Sequence, residues 1–183
     1  MQERTLITGN DNETMVQNLS TYFGQQPEAF QHSLTLLQGE RQVLLEIDID
    51  PGGGFESGYA TTRFSAPVQI ENDFAFTIHP EGFLADFAKL FGLQDEVIGY
   101  PEFDKKVIIK TNNKEKVTSI FKDAGTRQVF ATLENYTLQL QQGGETDSQR
   151  LLLLNIEEGV TDGTTLGQLY QAFCDVWQQV ETV

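Results

Sequence analysis

At 183 residues, with 39% hydrophobic and 21% charged, the chain has the size and composition of one globular domain, in which folding buries roughly 70% of the unfolded surface. Its 27 acidic residues outnumber 12 basic ones for a net charge of −15, which repels phosphate backbones and argues against nucleic-acid binding. One cysteine, Cys174, excludes an intrachain disulfide and Cys-rich zinc motifs, and no apolar stretch approaches the ~20 residues of a membrane span.

The first residues lack a basic start followed by an apolar run, so no signal peptide is expected. The three Asn-x-Ser/Thr sequons, at Asn12, Asn18 and Asn135, are then coincidental. The expectation is a soluble, cytoplasmic chain without a membrane partner. Its acidity serves solubility, or a basic protein partner.

In chain order, Asp11 reads as the N-cap of a helix bearing Met15, Val16, Leu19, Tyr22 and Phe23 on one stripe. Gly24 is expected to end it in the left-handed conformation. Strands follow over 33–37 and 42–50, joined by a turn at 38–41. Val43, Leu45, Ile47 and Ile49 share one face of the second strand, and Glu46, Asp48 and Asp50 the other. Pro51 and the glycines at 52–54 break the strand, and residues 59–66 resume it with Ala60, Thr62 and Phe64 inward. If Asp50 pairs with Tyr59, Arg63 sits opposite Glu46.

Residues 73–79 form a strand with Phe74, Phe76 and Ile78 inward and His79 on the polar face. A helix over 81–91 then places Phe83, Leu84, Phe87, Leu90 and Phe91 together, stopped by Gly92. Residues 103–110 read as a strand with Phe103, Val107 and Ile109 on one side. Asn112 or Asn113 caps a short helix carrying Val117, Ile120 and Phe121, and a second short helix over 125–133 packs Val129, Phe130 and Leu133. A hairpin alternates Tyr136, Leu138 and Leu140 with Leu152, Leu154 and Ile156 around Gly143-Gly144. The last helix starts at a Thr165/Gln168 capping box and carries Leu166, Leu169, Tyr170, Phe173, Trp177 and Val180. Runs of strands with helices between them predict an α+β fold. One mostly antiparallel sheet, with helices packed on one face, forms a single domain over 1–183. The softest seam, at 122–125, is too short to divide it.

Few residues suggest chemistry. Glu46, Asp48 and Asp50 project about 7 Å apart along one strand face, but hard cations need oxygens converging on one point. Asp48 to Gly53 superficially resembles a calcium loop, yet its twelfth position is Tyr59 instead of a bidentate Glu. The glycines at 52–54 join strands and lack the lysine and helix start of a phosphate loop. His79, beside Pro80 and Glu81, is the best acid–base candidate because His32 is the only other histidine. No G-x-S-x-G nucleophile motif accompanies it, and Cys174 reads as half-buried and inert. The best basic cluster, Lys105, Lys106, Lys110, Lys114 and Lys116, is interleaved with Asp104 and Glu115. No catalytic, cofactor-binding or metal-binding residue is therefore assigned, and no cofactor is expected.

The string from Gly99 through Pro101, Phe103, Asp104, Lys105 and Ile109 to Lys110 resembles a segment of an uncharacterised bacterial protein family. In that family a G-x-P-x-F-D-K-x-hydrophobic strand follows an aromatic strand and a Phe-rich helix. The resemblance covers residues 74–121 and implies a bacterial origin and a shared α+β module, with no activity or site residues. Read physically, Pro101 gives an extended entry, Phe103 anchors in the core and Asp104 satisfies turn amides. The order of elements is also similar to bacterial secretion-chaperone-like folds, which bind extended polypeptide on a dimer. The expected function is a non-enzymatic binding or interaction module with a protein or peptide partner. The alternatives are a secretion-chaperone-like polypeptide binder and an enzyme whose site is assembled from scattered residues near His79.

Overall fold

The computed structural model describes residues 4–26, 29–53, 57–70, 73–83, 93–142 and 149–182. In chain order its elements are β1 (Thr5–Thr8), α1 (Asn12–Gln25), β2 (Gln31–Gln38), β3 (Arg41–Asp50), β4 (Tyr59–Gln69), β5 (Phe76–Pro80) and β6 (Gln94–Glu96). They continue with α2 (Pro101–Asp104), β7 (Val107–Thr111), α3 (Lys114–Ile120), α4 (Ala124–Thr132), β8 (Tyr136–Gln142), β9 (Gln149–Ile156) and α5 (Gly163–Val180). The fold is α+β with one mostly antiparallel nine-stranded sheet, ordered β1-β2-β3-β4-β9-β8-β5-β7-β6. Among the described residues no helix is long and apolar enough to cross a membrane. By contact density the chain divides into two compact units, residues 1–66 with 155–171 and residues 67–154 with 172–183.

In the first unit, β1 runs parallel to β2, while β2–β3 and β3–β4 are antiparallel. The register does pair Asp50 with Tyr59, and with it Glu46 stands opposite Arg63, keeping both polar sets on one face. Leu34, Leu36, Val43, Leu45, Ile47, Thr62 and Phe64 are buried on one face of these strands. Helix α1 buries Met15, Leu19 and Phe23, with the Phe23 ring 4.8 Å from that of His32. Asp11 caps this helix by accepting from the Thr14 amide at 2.8 Å. Gly24 does not end it; the helix runs to Gln25 and closes with the Gln26 amide on the Phe23 carbonyl at 3.2 Å. The amino-terminal part of α5 buries Leu166, Leu169 and Tyr170. Its cap is Asp162, which accepts from the Thr165 amide at 2.7 Å, so the expected Thr165/Gln168 capping box is corrected. Buried Thr62 closes the loop before α5, donating to the Glu158 carbonyl at 2.7 Å and accepting from the Val160 amide at 2.9 Å.

In the second unit β5 lies between β7 and β8, antiparallel to both. Phe74, Phe76 and Ile78 are buried as expected, although the strand begins only at Phe76. Residues 73–75 are tied down instead by Asn112, whose side chain donates to the Asp73 carbonyl and accepts from the Ala75 amide. The expected 81–91 helix falls at 84–91 outside the described residues, as does its aromatic stripe beyond Phe83. Residues 81–82 form a turn, with Gly82 at a φ of 81°.

The expected strand over 103–110 is corrected: Pro101 opens a one-turn helix and the strand begins at Val107. Proline at a helix start loses no hydrogen bond. Phe103 anchors in the core at 0% exposure, and both oxygens of Asp104 accept turn amides, Ile98 at 3.0 Å and Gly99 at 2.9 Å. Asn113 caps α3. Helix α4 buries Phe130, while Val129 and Leu133 are only half-buried. Its buried Arg127 donates to the Phe121 and Lys122 carbonyls at 2.7 and 2.8 Å and stacks 3.7 Å above the Tyr100 ring. Phe173, Trp177 and Val180 of α5 are buried as the stripe predicts, and Val176 is buried with them.

Candidate functional site

The acid ladder occupies the outer face of β3, opposite the side chains packed toward α1. Its members do not converge. Asp48 accepts from the Gln31 amide at 3.1 Å and from the Tyr59 hydroxyl at 2.9 Å, and Asp50 accepts from the Gly52 amide at 2.9 Å in a tight turn. The Asp48 carboxylate raises the Tyr59 hydroxyl above its ordinary pKa, because ionising the phenol would lose that bond and add a second negative charge. Arg63 stands directly across from Glu46. Of these, Glu46, Asp48 and Arg63 line, with Gln31, Ser33 and Thr61, a shallow, polar depression of about 250 Å³.

Among the described residues no three His, Cys, Asp or Glu side chains gather into a cation site. Millimolar calcium or magnesium should therefore leave the melting temperature unchanged, since a ligand stabilises only by binding the folded state. A rise of several degrees, erased by combining Glu46→Gln, Asp48→Asn and Asp50→Asn, would contradict this.

Neither histidine lies open to a substrate. The expectation that His79 sits on a polar face is corrected: it is 3% exposed and its neighbour Thr77 1%, because both faces of the interior strand β5 are covered. Its Nδ1 donates to the Pro80 carbonyl at 3.0 Å. Burial lowers its pKa first and Lys110 adds to the effect, against opposing contributions from the Pro80 carbonyl and Asp95. His32 is 4% exposed. Its Nε2 donates to the Ala29 carbonyl at 3.0 Å, which leaves Nδ1 to accept from the Tyr22 hydroxyl at 3.2 Å. Burial again lowers the pKa.

Both rings thus favour the neutral form in the folded state. A histidine whose folded pKa is depressed stabilises fully above its unfolded value of 6.5. That contribution is lost as pH falls through the folded value. Stability should begin to decline below about pH 6.5, and both Cε1–H resonances should titrate with midpoints below that pH. A midpoint above it for either ring would be the opposite result.

The remaining candidates resolve into structure. Gly52 takes a φ of 74° in the β3–β4 connection, while Gly54 lies outside the described residues. In the basic cluster Lys110 pairs with Asp95 at 3.2 Å, Lys114 pairs with Glu96 at 3.5 Å, and Lys116 lies 5.3 Å above the Phe74 ring. Cys174 is 2% exposed, deeper than expected.

One feature the sequence did not reveal is strand β1. Among the described residues it forms an edge of the sheet, and a broad, open groove of about 270 Å³ runs between it and α1. The helix side is the Asn18, Thr21, Tyr22 and Gln25 stripe, at the i, i+3, i+4, i+7 spacing of one helical face. The strand side is Leu6, Ile7 and Thr8, with Leu6 57% exposed. The signal was present in the run Thr5-Leu6-Ile7-Thr8, three of whose residues are β-branched, before Gly9, but four residues are too few for a periodicity.

Comparison with protein-family models, with curated proteins and with solved structures found no match to this chain.

Proposed function

We propose that this protein is a non-enzymatic binding module of the cytoplasm whose partner is a protein or peptide. The observation that supports the reading is the asymmetry of the first unit. One face of β2, β3 and β4 is buried, whereas the other carries half-buried Glu46 and Asp48 and exposed Tyr59 and Arg63, and the β1 edge has exposed Thr5, Leu6 and Thr8. Catalytic sites are enclosed pockets in which polar groups converge and titration is perturbed toward a task. Here the two histidines are withdrawn into the interior, and the open surface carries hydrogen-bonding and aromatic groups suited to recognition. The resemblance over residues 74–121 adds a bacterial setting to this reading.

The test is a partner captured from the native host, re-purified and titrated calorimetrically against wild-type protein and against His79→Gln. Saturable binding that is equal for both supports a binding module. An activity found by broad substrate screening and abolished by His79→Gln, at unchanged melting temperature, would replace it with the enzyme reading.

A further inference from the structure

We infer that the groove between β1 and α1 takes an extended, basic polypeptide segment, which adds to the sheet as a further strand beside β1. This rests on the binding-module reading and names the surface and the chemistry of the partner.

The direction of the backbone groups carries the argument. The Gly9 amide donates to the Leu37 carbonyl at 3.0 Å while Thr8 is level with Leu37. In a parallel ladder this parity turns the amides and carbonyls of Thr5, Ile7 and Gly9 toward β2, and those of Leu6 and Thr8 away from it. The Thr8 carbonyl confirms the parity by accepting from the Asn18 side chain of α1 at 2.7 Å. The Leu6 amide, the Leu6 carbonyl and the Thr8 amide therefore point into the groove, and no described backbone group pairs with them. An edge of unpaired donors and acceptors is a template for one kind of occupant, another extended backbone. A helix alongside such an edge supplies the pocket that reads alternate side chains.

The side-chain chemistry follows from the walls. Ile7, Thr21 and Tyr22 line the helix side of the groove and favour small residues of the added strand there. On the opposite side its residues flank exposed Leu6 and Thr8 at the sheet margin and remain in solvent. The net charge of −15 selects for cationic segments in encounter and opposes a second copy of this chain at the same edge.

The probe is a capped eight-residue peptide alternating valine and lysine, with a fully N-methylated analogue as control, titrated into the ¹⁵N-labelled chain. We expect saturable shifts centred on the amides of Leu6, Thr8, Thr21 and Tyr22, and none with the control, whose backbone donors are gone. Leu6→Pro removes only an outward amide, which edge strands tolerate, and should weaken binding about tenfold. If that variant fails to fold, Thr21→Arg, on the exposed side of α1, should weaken binding by blocking the groove and repelling the lysines. Shifts centred on Ser33, Glu46, Thr61 and Arg63 would overturn this inference and leave the binding-module reading standing. No shifts at millimolar peptide would overturn both. A dimer in sedimentation that Leu6→Pro dissociates would give the edge to a second copy and overturn the peptide.

Discussion

Phe121→Ala should lower the unfolding free energy by about 4 kcal/mol, the range for truncating a fully buried phenylalanine. Phe121 is 0% exposed and stands at the centre of an aromatic cluster. Its ring is stacked on Phe103 at 5.3 Å and meets Phe130 and Phe76 edge-on at 6.1 and 6.3 Å. Alanine would remove three ring contacts at once and leave a cavity walled by rigid aromatics, which relax little. Marginal stability makes this a large fraction of the total. Phe121→Leu keeps most of the volume and should cost about 1.5 kcal/mol or less. Urea unfolding of both variants checks the order. A loss below about 1 kcal/mol for Phe121→Ala would mean that the cluster collapses freely or is not packed as described.

Gly163→Ala should cost about 2 kcal/mol, whereas Gly167→Ala should be close to neutral, although both glycines lie on the same helix facing α1. A methyl at Gly163 would collide with the Ser20 hydroxyl and would also meet the Ser20 amide nitrogen at 2.6 Å and its Cα at 2.7 Å. Two of those three atoms are backbone, so α1 itself would have to move. At Gly167 the nearest atom is the Cγ2 tip of Val16, with its Cβ at 3.2 Å, and a side-chain adjustment relieves part of the clash. There the helix-propensity gain of alanine over glycine, about 1 kcal/mol, offsets the remainder. Thermal unfolding of the two single variants decides between them. Equal losses would show that the clash at Ser20 is no harder than the one at Val16.

How much of this was legible in the sequence depended on whether one local pattern had one solution. In β3, apolar Val43, Leu45 and Ile47 alternate with Glu46 and Asp48, and a slip of one residue would bury the acids. The pairing of Asp50 with Tyr59, one of the registers that keep the acids outward, is the one observed. The strand expected from Phe103 fails because a short helix leading into a strand places Phe103 and Val107 inward just as a strand does. Pro101 at the helix start and the Asp104 carboxylate on two turn amides decided for the helix. The burial of His79 escapes the sequence because alternation separates two faces without telling whether each meets water. Only the position of β5 between β7 and β8, with both faces buried, settles that. The β1 groove was illegible for a further reason. Its strand pairs in parallel with residues about 30 positions away, and parallel pairing leaves no hairpin signal.

The most direct measurement is amide hydrogen exchange across the chain, with and without the partner isolated from the host. New protection is expected at residues 5–8 and 18–25, where the β1 edge and the α1 stripe meet the bound segment. Protection concentrated instead at residues 79–83 and 94–99, around His79, with residues 5–8 and 18–25 unchanged, would contradict it.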